Sequence, residues 1–318
     1  MAKYRQDLPQ LKGGTFISDG GIETTLIFHE GMELPHFASF VLLATHDGRQ
    51  VIKNYYRRYL DIARRHGTGF ELDTATWRAN ADWGAKLGYS PEALKAANED
   101  AVELLVELRA EYERPQAPIV ICGAIGPRGD GYKAGRMNAS EAEDYHATQI
   151  AVFGGTDADM VAAYTLNNID EAIGIARAAE RQGMPCAIAF TVETDGKLVT
   201  GRTMQDAIES VDAATGGSPA YYMINCAHPS HFDSALDHNS GWIKRIAGIR
   251  ANASMMSHAE LDGSETLDAG DPIDLGRRYR QLTSRMPHVH VLGGCCGTDH
   301  RHIAAICEAC LPQQAASA

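Results

Sequence analysis

The sequence predicts an α/β protein that folds as a single (βα)8 barrel of the TIM type. Three observations favour this fold class. The chain has 318 residues, a length that such barrels reach as one domain. Eight short apolar runs alternate with amphipathic stretches, as parallel βα units require. Several runs end in polar or thiol side chains, which a barrel collects at one mouth.

The eight predicted strands are short apolar runs that end near Gly, Asp, Asn or Cys. Their residues are mostly apolar at successive positions, which is typical of strands buried on both faces. Helices must therefore cover the sheet. We predict strands at Thr15–Asp19, Gly69–Asp73, Pro118–Gly123, Ala158–Tyr164, Cys186–Thr191, Tyr221–Cys226, Ile246–Arg250 and His288–Gly293.

The segments between these strands carry apolar residues at three- and four-residue spacing, which predicts helices. Glycine follows several of them, as expected at helix C-termini. We expect one domain over residues 1–318, with a frayed end at Leu311–Ala318. The predicted outer helices are Val51–His66, Ser90–Tyr112, Ser140–Gly154, Ile169–Gly183 and Asp274–Met286.

Composition places the chain among globular proteins and narrows its partners. With 44% hydrophobic and 22% charged residues, it can bury a complete core. The net charge of −12 argues against a nucleic acid or an anionic membrane as partner, because either would attract a basic surface. The sequence has no apolar run of membrane-spanning length, and its start, MAKYRQDLPQ, lacks the apolar core of a signal peptide. We expect a cytoplasmic protein, and a homo-oligomer is compatible with the sequence.

Two cysteines stand side by side in Leu292–Thr298, which reads LGGCCGT. The flanking glycines allow a tight turn after the last predicted strand and present both thiols together. Ile224–Pro229, which reads INCAHP, puts Cys226 at the end of another predicted strand. The fold can therefore bring Cys226, Cys295 and Cys296 together at the C-terminal mouth. Three soft ligands favour zinc, and the lack of an evident fourth ligand favours a catalytic site with an open position.

Two other interpretations of these thiols stay open. A structural Cys3His site would take its fourth ligand from His228, His300 or His302, although structural sites mostly use Cys-x2-Cys pairs. Alone, Cys295 and Cys296 would suit a vicinal redox pair. Because the chain is long and not evidently exported, we expect its seven cysteines to be reduced thiols or metal ligands, not a disulfide framework. Four are expected in the core or at the surface: Cys122, Cys186, Cys307 and Cys310.

Four motifs together resemble the homocysteine S-methyltransferase family. They are the SDGGIETT of Ser18–Thr25, the GAIGP of Gly123–Pro127, the Asn225–Cys226 pair and the GGCCG of Gly293–Gly297. Paired glycines before a helix also leave backbone N–H groups able to bind a carboxylate, although an ordinary βα turn explains SDGGIETT equally well. The resemblance covers nearly the whole chain.

The resemblance implies a barrel in which Cys226, Cys295 and Cys296 hold zinc and the sulfur of homocysteine becomes a further ligand. Zinc coordination removes the proton of a thiol whose ordinary pKa is about 8.5, and the resulting thiolate attacks a methyl group. Donors in the family include S-methylmethionine, S-adenosylmethionine and betaine. The implied partners are a small-molecule thiol acceptor and a small-molecule methyl donor.

The resemblance also implies substrate-binding residues. Asp19, Gly20 and Gly21 would lie against the amino-acid part of the acceptor, with backbone N–H groups taking its carboxylate. Asn225 would shape the site beside the metal.

One position departs from the family's pattern. Family members carry a Glu at the end of strand four, placed to receive the ammonium of the acceptor, whereas this chain has Tyr164. A phenol has no negative charge, so the ammonium would be received by another carboxylate, such as Asp73 or Glu193. Trp77 replaces the Tyr that is usual after strand two, and it is either a core residue or a platform for a cationic donor.

The sequence therefore predicts a zinc-dependent S-methyltransferase that moves a methyl group from a sulfonium or ammonium donor to homocysteine and forms methionine. A zinc-dependent hydrolase on the same fold is one alternative, in which the metal activates water. A non-catalytic zinc or thiol sensor is another. Hydrolases of this fold mostly bind metal through His and Asp, so the all-cysteine set favours the methyltransferase.

Overall fold

The computed structural model describes residues 2–312 and shows a closed barrel of eight parallel strands, which confirms the predicted fold class. Each strand pairs with its neighbours in chain order, and the last strand pairs with the first. The strands are β1 Phe16–Ile17, β2 Gly69–Asp73, β3 Ile119–Ile125, β4 Met160–Leu166, β5 Cys186–Phe190, β6 Tyr221–Asn225, β7 Ile246–Ala251 and β8 Val291–Gly294.

The strand bounds differ from the predicted ones by two or three residues at the end of β1, the end of β3, both ends of β4 and the start of β8. Strand β2 coincides with its prediction, whereas β4 continues two residues past Tyr164 to Leu166. Strand β1 is reduced to Phe16–Ile17, although the Ser18 N–H still donates to Leu292 O at 3.0 Å. Strand β8 begins at Val291 because the chain before it forms a turn, in which the Val289 N–H donates to Met286 O.

Helices surround the barrel, and the five predicted ones are present. Four of them differ from the prediction by one or two residues at their ends, and α2 begins five residues before the predicted Val51. No helix within residues 2–312 has the length and apolar character needed to cross a bilayer. The α-helices are α1 Ile22–Thr24, α2 His46–His66, α3 Ala81–Lys86, α4 Pro91–Tyr112, α5 Ala139–Gly154, α6 Ile169–Arg181, α7 Met204–Thr215, α8 Pro229–Phe232, α9 His258–Asp262, α10 Pro272–Arg285 and α11 His300–Cys310.

Helix α7 shows a start signal that the sequence prediction missed. The Thr203 side chain accepts from the Asp206 N–H, and the Asp206 carboxylate accepts from the Thr203 N–H. Gly216 ends the helix in the left-handed conformation, with φ 64°. This capping box and the terminal glycine are local features, so the helix was predictable in principle.

The apolar core has an outer layer between strands and helices and an inner layer within the barrel. The inner layer contains five alanines together with larger residues such as Met160, Tyr164, Tyr221 and Met223. The small alanine side chains leave room for long polar side chains, and both Glu71 and Arg250 are buried. The barrel interior is therefore partly polar, unlike the branched aliphatic filling usual for this fold.

The segment before β1 closes the barrel at the end opposite the mouth. Gln10 is fully buried, and its Nε2 lies 3.2 Å from the sulfur of Met160 and 3.4 Å from the hydroxyl of Tyr221. Met160 and Tyr221 are the first residues of β4 and β6, so these contacts mark the N-terminal end. Gln10 Nε2 also lies 3.4 Å from Oε2 of Glu71.

Glu71 gives the folded protein a measurable pH dependence. Burial raises the pKa of its carboxyl to about 7, whereas an unfolded chain leaves it near 4.5. The folded state holds the proton over this window, so the free energy of unfolding falls as pH rises from about 4.5 to about 7. Glu71→Gln removes this decline and should stabilise the protein by roughly 1–3 kcal/mol at pH 8.

Urea unfolding of wild type and Glu71→Gln at pH 5 and pH 8 tests this expectation. The two proteins should differ more at pH 8 than at pH 5. The exposed Glu308 offers a control, because Glu308→Gln should leave the pH dependence unchanged. Equal pH dependence in wild type and Glu71→Gln would show that Glu71 titrates alike in the folded and unfolded states.

Candidate active site

The loop after β8 presents two adjacent thiols at the mouth of the barrel. The Cys295 N–H donates to Ala251 O at 2.9 Å, and Cys296 O accepts from the Ala253 N–H at 3.1 Å, so strand β7 and its exit hold the loop. Gly297 has φ +78°, a conformation that glycine adopts without strain. A Cβ at Gly294 would collide with the Thr298 side chain. The glycines around the thiols are therefore required by the turn and by close packing.

Cys226 follows β6 and points toward the same mouth from a left-handed backbone conformation, with φ 53°. Thr165, near the end of β4, is also left-handed, with φ 62°. The Asn225 amide joins the two positions, because its Oδ1 accepts from the Thr165 N–H at 3.0 Å and its Nδ2 donates to Thr165 Oγ1 at 2.9 Å. Thr165 Oγ1 in turn lies 3.5 Å from Cys226 Sγ. Asn225 thus holds the backbone strain that aims the thiol of Cys226.

The sulfur atoms of Cys226, Cys295 and Cys296 lie within 4.8 Å of one another. Two of them, Cys226 and Cys295, are joined by a disulfide, with Cα atoms 5.3 Å apart. The sequence predicted reduced thiols or metal ligands, and the structure bonds this one pair because ligands of one metal are also within reach of a disulfide. The vicinal Cys295 and Cys296 are not bonded to each other. Burial raises the pKa of the free Cys296 thiol to about 11.

The three histidines considered as a fourth ligand lie outside this thiol cluster. His228 caps α8, and its Nδ1 lies 2.7 Å from Ser230 Oγ. His302 is buried in α11, with Nε2 2.7 Å from Ala269 O. Among residues 2–312, the three cysteines form the one group of His, Cys, Asp or Glu ligand atoms close enough to share a metal ion. The free thiols Cys122, Cys186, Cys307 and Cys310 are not part of it.

Five buried polar side chains form a charged network across the barrel below the thiols. The guanidinium of Arg250, from β7, pairs with Asp19 after β1 and with Asp73 at the end of β2. Tyr164 from β4 donates to Asp73 Oδ1 at 2.9 Å, and its ring lies 4.9 Å from the guanidinium carbon. Tyr55 donates to Asp19 Oδ2 at 2.9 Å. Burial raises the pKa of Asp19 to about 6 although Arg250 stabilises its charged form.

This network bears on how an ammonium group could be received. Asp73 has both oxygens engaged, one by Tyr164 and the other by Arg250. Glu193 is different, because its side chain stays 32% exposed and its Oε1 lies 3.1 Å from Nδ1 of His258. Of the two carboxylates named from the sequence, Glu193 is therefore the accessible one. Arg250 was not identified as a site residue, although it stands at the end of a predicted strand.

The paired glycines after β1 pack tightly against the thiol loop. A Cβ at Gly20 would lie 2.7 Å from Thr298 O, and a Cβ at Gly21 would lie 2.7 Å from Cys295 O. The Gly21 N–H already donates to Thr298 O at 3.0 Å. Within residues 2–312, the Gly20 N–H donates to no other group, so it is the one of the two that can take a carboxylate.

Two aromatic side chains that the sequence prediction missed cover the thiols. The hydroxyl of Tyr132 lies 3.9 Å from Cys296 Sγ. Its ring packs against His258 at an interplanar angle of 41°, with centroids 4.4 Å apart, and His258 Nε2 lies 2.6 Å from Cys226 O. Tyr132 comes from the loop after β3, and His258 is the first residue of α9 after β7, and the sequence prediction singled out neither residue. Trp77 sits nearby and donates from Nε1 to Tyr164 O at 3.2 Å.

Comparisons with known proteins agree with this geometry. The family model described as homocysteine S-methyltransferase matches residues 16–310. The oxidised form of the homocysteine methyltransferase MmuM of Escherichia coli is similar in fold, with a TM-score of 0.76, 20% identity and coverage of 96% of this chain and 99% of that chain. Its metallated form has a TM-score of 0.72, 20% identity and coverage of 93% and 96%.

The family match extends over all eight strands and includes the three clustered cysteines. It covers far more than half of the chain. The chain is therefore a methyltransferase that belongs to the homocysteine S-methyltransferase family.

Proposed function

We propose that this enzyme transfers a methyl group from a small sulfonium or ammonium donor to the thiol of homocysteine, forms methionine, and holds zinc with Cys226, Cys295 and Cys296. The observation that carries the proposal is the convergence of three sulfur atoms within 4.8 Å at the barrel mouth. The three come from two distant strand ends, so the barrel itself assembles the set. Family membership supports the identity of the acceptor.

The thiol cluster fits a zinc ion by the chemistry of its donors. Zinc prefers thiolate and imidazole ligands in tetrahedral sites, and three protein ligands leave one position for a substrate. Burial raises the pKa of Cys296 to about 11, so a bound cation is the natural means of keeping this sulfur deprotonated at neutral pH. When bound, zinc would lower the pKa of the acceptor thiol and make its sulfur a nucleophile.

The residues around the thiols orient the site. Asn225 and Thr165 hold Cys226 in its left-handed conformation, and His258 contacts the carbonyl oxygen of the same residue. These contacts fix the direction of the sulfur before any substrate binds, which is how surrounding hydrogen bonds support a metal site. Tyr132 lies beside Cys296, with its hydroxyl 3.9 Å from the sulfur.

The acceptor's amino-acid part has two groups available at the mouth. The Gly20 N–H is able to donate to its carboxylate, and the exposed Glu193 is able to receive its ammonium. Asp19, Asp73 and Tyr164 act indirectly in this proposal, because their polar atoms are engaged with Arg250, Tyr55 and one another. They set the charge and shape of the floor beneath the acceptor.

The proposal predicts that reduction controls both metal content and activity. Protein reduced and supplied with zinc should bind about one ion per chain, because all three thiols are then ligands. Protein kept oxidised should bind little, because the Cys226 and Cys295 sulfurs are consumed by the disulfide. Metal analysis, with X-ray absorption at the zinc edge before and after adding homocysteine, measures the ion and the number of its sulfur ligands.

Turnover then identifies the reaction. Reduced, zinc-loaded enzyme is incubated with homocysteine and S-methylmethionine, S-adenosylmethionine or betaine, and methionine is quantified. Methionine formed in the presence of one donor, and lost after zinc removal, is the expected result. Zinc binding with no added sulfur ligand and no methionine from any donor would instead favour a sensor or a hydrolase.

A further inference from the structure

Arg78 lies at the barrel mouth, five residues after the end of β2, and is held by aromatic rings. Its guanidinium carbon lies 4.0 Å from the ring centre of Trp77 and 3.9 Å from that of Trp83. Its Nη1 donates to Gly129 O at 3.1 Å. Stacking on two indoles fixes the plane of the guanidinium, so its remaining N–H groups have a defined direction.

One edge of this guanidinium has no partner within residues 2–312. The Nε atom is buried and makes no hydrogen bond, and no ion pair involves Arg78. Burial lowers the pKa of Arg78 to about 10, so the group stays charged at neutral pH. A charged Nε–Nη2 edge is the geometry that binds a carboxylate with two parallel hydrogen bonds.

The nearby acidic groups are engaged elsewhere. Asp130 accepts from the Tyr132 N–H at 2.9 Å and pairs with Lys133 at 3.0 Å. Glu23 accepts from the Ser39 hydroxyl at 2.8 Å. Both carboxylates favour the charged form of Arg78 through space, yet neither lies within ion-pair distance. Among residues 2–312, no carboxylate therefore pairs with Arg78, and its Nε–Nη2 edge is open to an anion.

The same neighbours connect Arg78 to the thiol cluster. Glu23 and Tyr132 each interact electrostatically with Arg78 and also with Cys296. The Tyr132 hydroxyl lies 3.9 Å from the Cys296 sulfur, so Arg78 and the thiols share one wall of the mouth.

We propose that the Nε–Nη2 edge of Arg78 binds the carboxylate of a substrate of the methyl transfer, an inference that rests on the proposed function. Homocysteine carries a carboxylate, and so do S-methylmethionine, S-adenosylmethionine and betaine. The required chemistry is the same for the acceptor and for the donor, and binding measurements with each distinguish the two sources.

The test compares ligands that differ only in the carboxylate. On the acceptor side, methionine is the product and carries the carboxylate, and methioninol is its analogue without the carboxylate. S-methylmethionine with its methyl ester, and betaine with choline, represent the donor side. Each is titrated into reduced wild type, Arg78→Gln and Arg78→Lys by calorimetry, and tryptophan fluorescence reports changes at Trp77 and Trp83.

Arg78→Gln should weaken the carboxylate ligand of one side by about tenfold to about 100-fold and leave its carboxylate-free analogue unchanged. Arg78→Lys should lie between, because lysine keeps the charge but lacks the fork. Lys86→Gln is the matched control, since Lys86 stacks on the same Trp83 ring at 3.8 Å from an exposed position. It should bind every ligand like wild type.

Three results would overturn the assignment of Arg78: no carboxylate ligand binds wild type, Arg78→Gln binds all of them normally, or it loses both members of a pair equally. Methionine formation by wild type tests the proposed function separately. If wild type forms methionine and Arg78→Gln binds every carboxylate ligand normally, only the proposed carboxylate site is wrong. If wild type forms no methionine but carboxylate binding depends on Arg78, the proposed methyl transfer is wrong and the carboxylate site stands.

Discussion

Cys226→Ala is expected to lose zinc binding and methionine formation while the barrel stays folded. The remaining two thiols cannot complete a three-sulfur site. The loss should exceed the roughly 10- to 100-fold fall in metal affinity that follows removal of a group supporting a ligand. Alanine keeps the Cβ of cysteine, so the left-handed backbone at this position bears the same strain as before. Zinc analysis, methionine formation and thermal unfolding measure the three effects.

A matched variant separates this effect from the general loss of a thiol. Cys310 is a partly exposed free cysteine in α11, outside the thiol cluster. Cys310→Ala should keep both the zinc and the activity. A Cys226→Ala protein that still binds one zinc ion with three sulfur ligands would show that another cysteine is the third ligand.

Arg250→Met is expected to destabilise the folded protein by about 3–5 kcal/mol, because it leaves buried carboxylates without their cation. Arg250 is 7% exposed, and Asp19 and Asp73 are 2% and 5% exposed, so water cannot replace the guanidinium. Removing one partner of a buried network costs more than removing all of it. The triple variant Asp19→Asn, Asp73→Asn, Arg250→Met should therefore recover much of the lost stability.

The pH dependence of this effect has a defined sign. Without the guanidinium, the folded-state pKa of the buried Asp19 rises further above its ordinary value, since Arg250 is what opposes the effect of burial. When the pKa of a carboxyl is raised in the folded state, the free energy of unfolding is unaffected at low pH and falls as pH rises. The difference between wild type and Arg250→Met should thus be larger at pH 8 than at pH 5 in urea unfolding.

Arg245, the residue directly before β7, provides the control. It pairs with Asp212 near the surface, where both side chains are about a third exposed, and exposed pairs contribute about 0–1 kcal/mol. Arg245→Met should cost less than Arg250→Met at both pH values. Equal losses in the two variants would contradict the view that burial of the network makes Arg250 essential.

The fold was predictable because its signals are local. Parallel strands buried on both faces appear as continuous apolar runs, and amphipathic helices separate them. Strand ends at β1, β3, β4 and β8 were misjudged by two or three residues, since pairing with neighbouring strands decides where a strand stops. Helix α7 was missed although Thr203 and Asp206 mark its start.

The thiol cluster was predictable for the same reason. Cys226 and the adjacent Cys295 and Cys296 each follow an apparent strand, and a parallel barrel brings all strand ends to one mouth. Their bonding state was not predictable, because three sulfur atoms within 4.8 Å suit a metal ion and a disulfide alike. Asn225 was identified beside the site, yet its contact with Thr165 depends on strand β4.

The sequence by itself determined the barrel and the thiols, and its resemblance to the family singled out Tyr164 as a change from the expected acidic residue. Only the tertiary structure decided what that change means, because Arg250 reaches Asp19 and Asp73 across the barrel from residues far apart in the chain. The vacant edge of Arg78 is likewise visible only when the partners of Asp130 and Glu23 are known. Periodicity reports which face of an element is buried, whereas ion pairs across a closed barrel depend on contacts that no local pattern encodes.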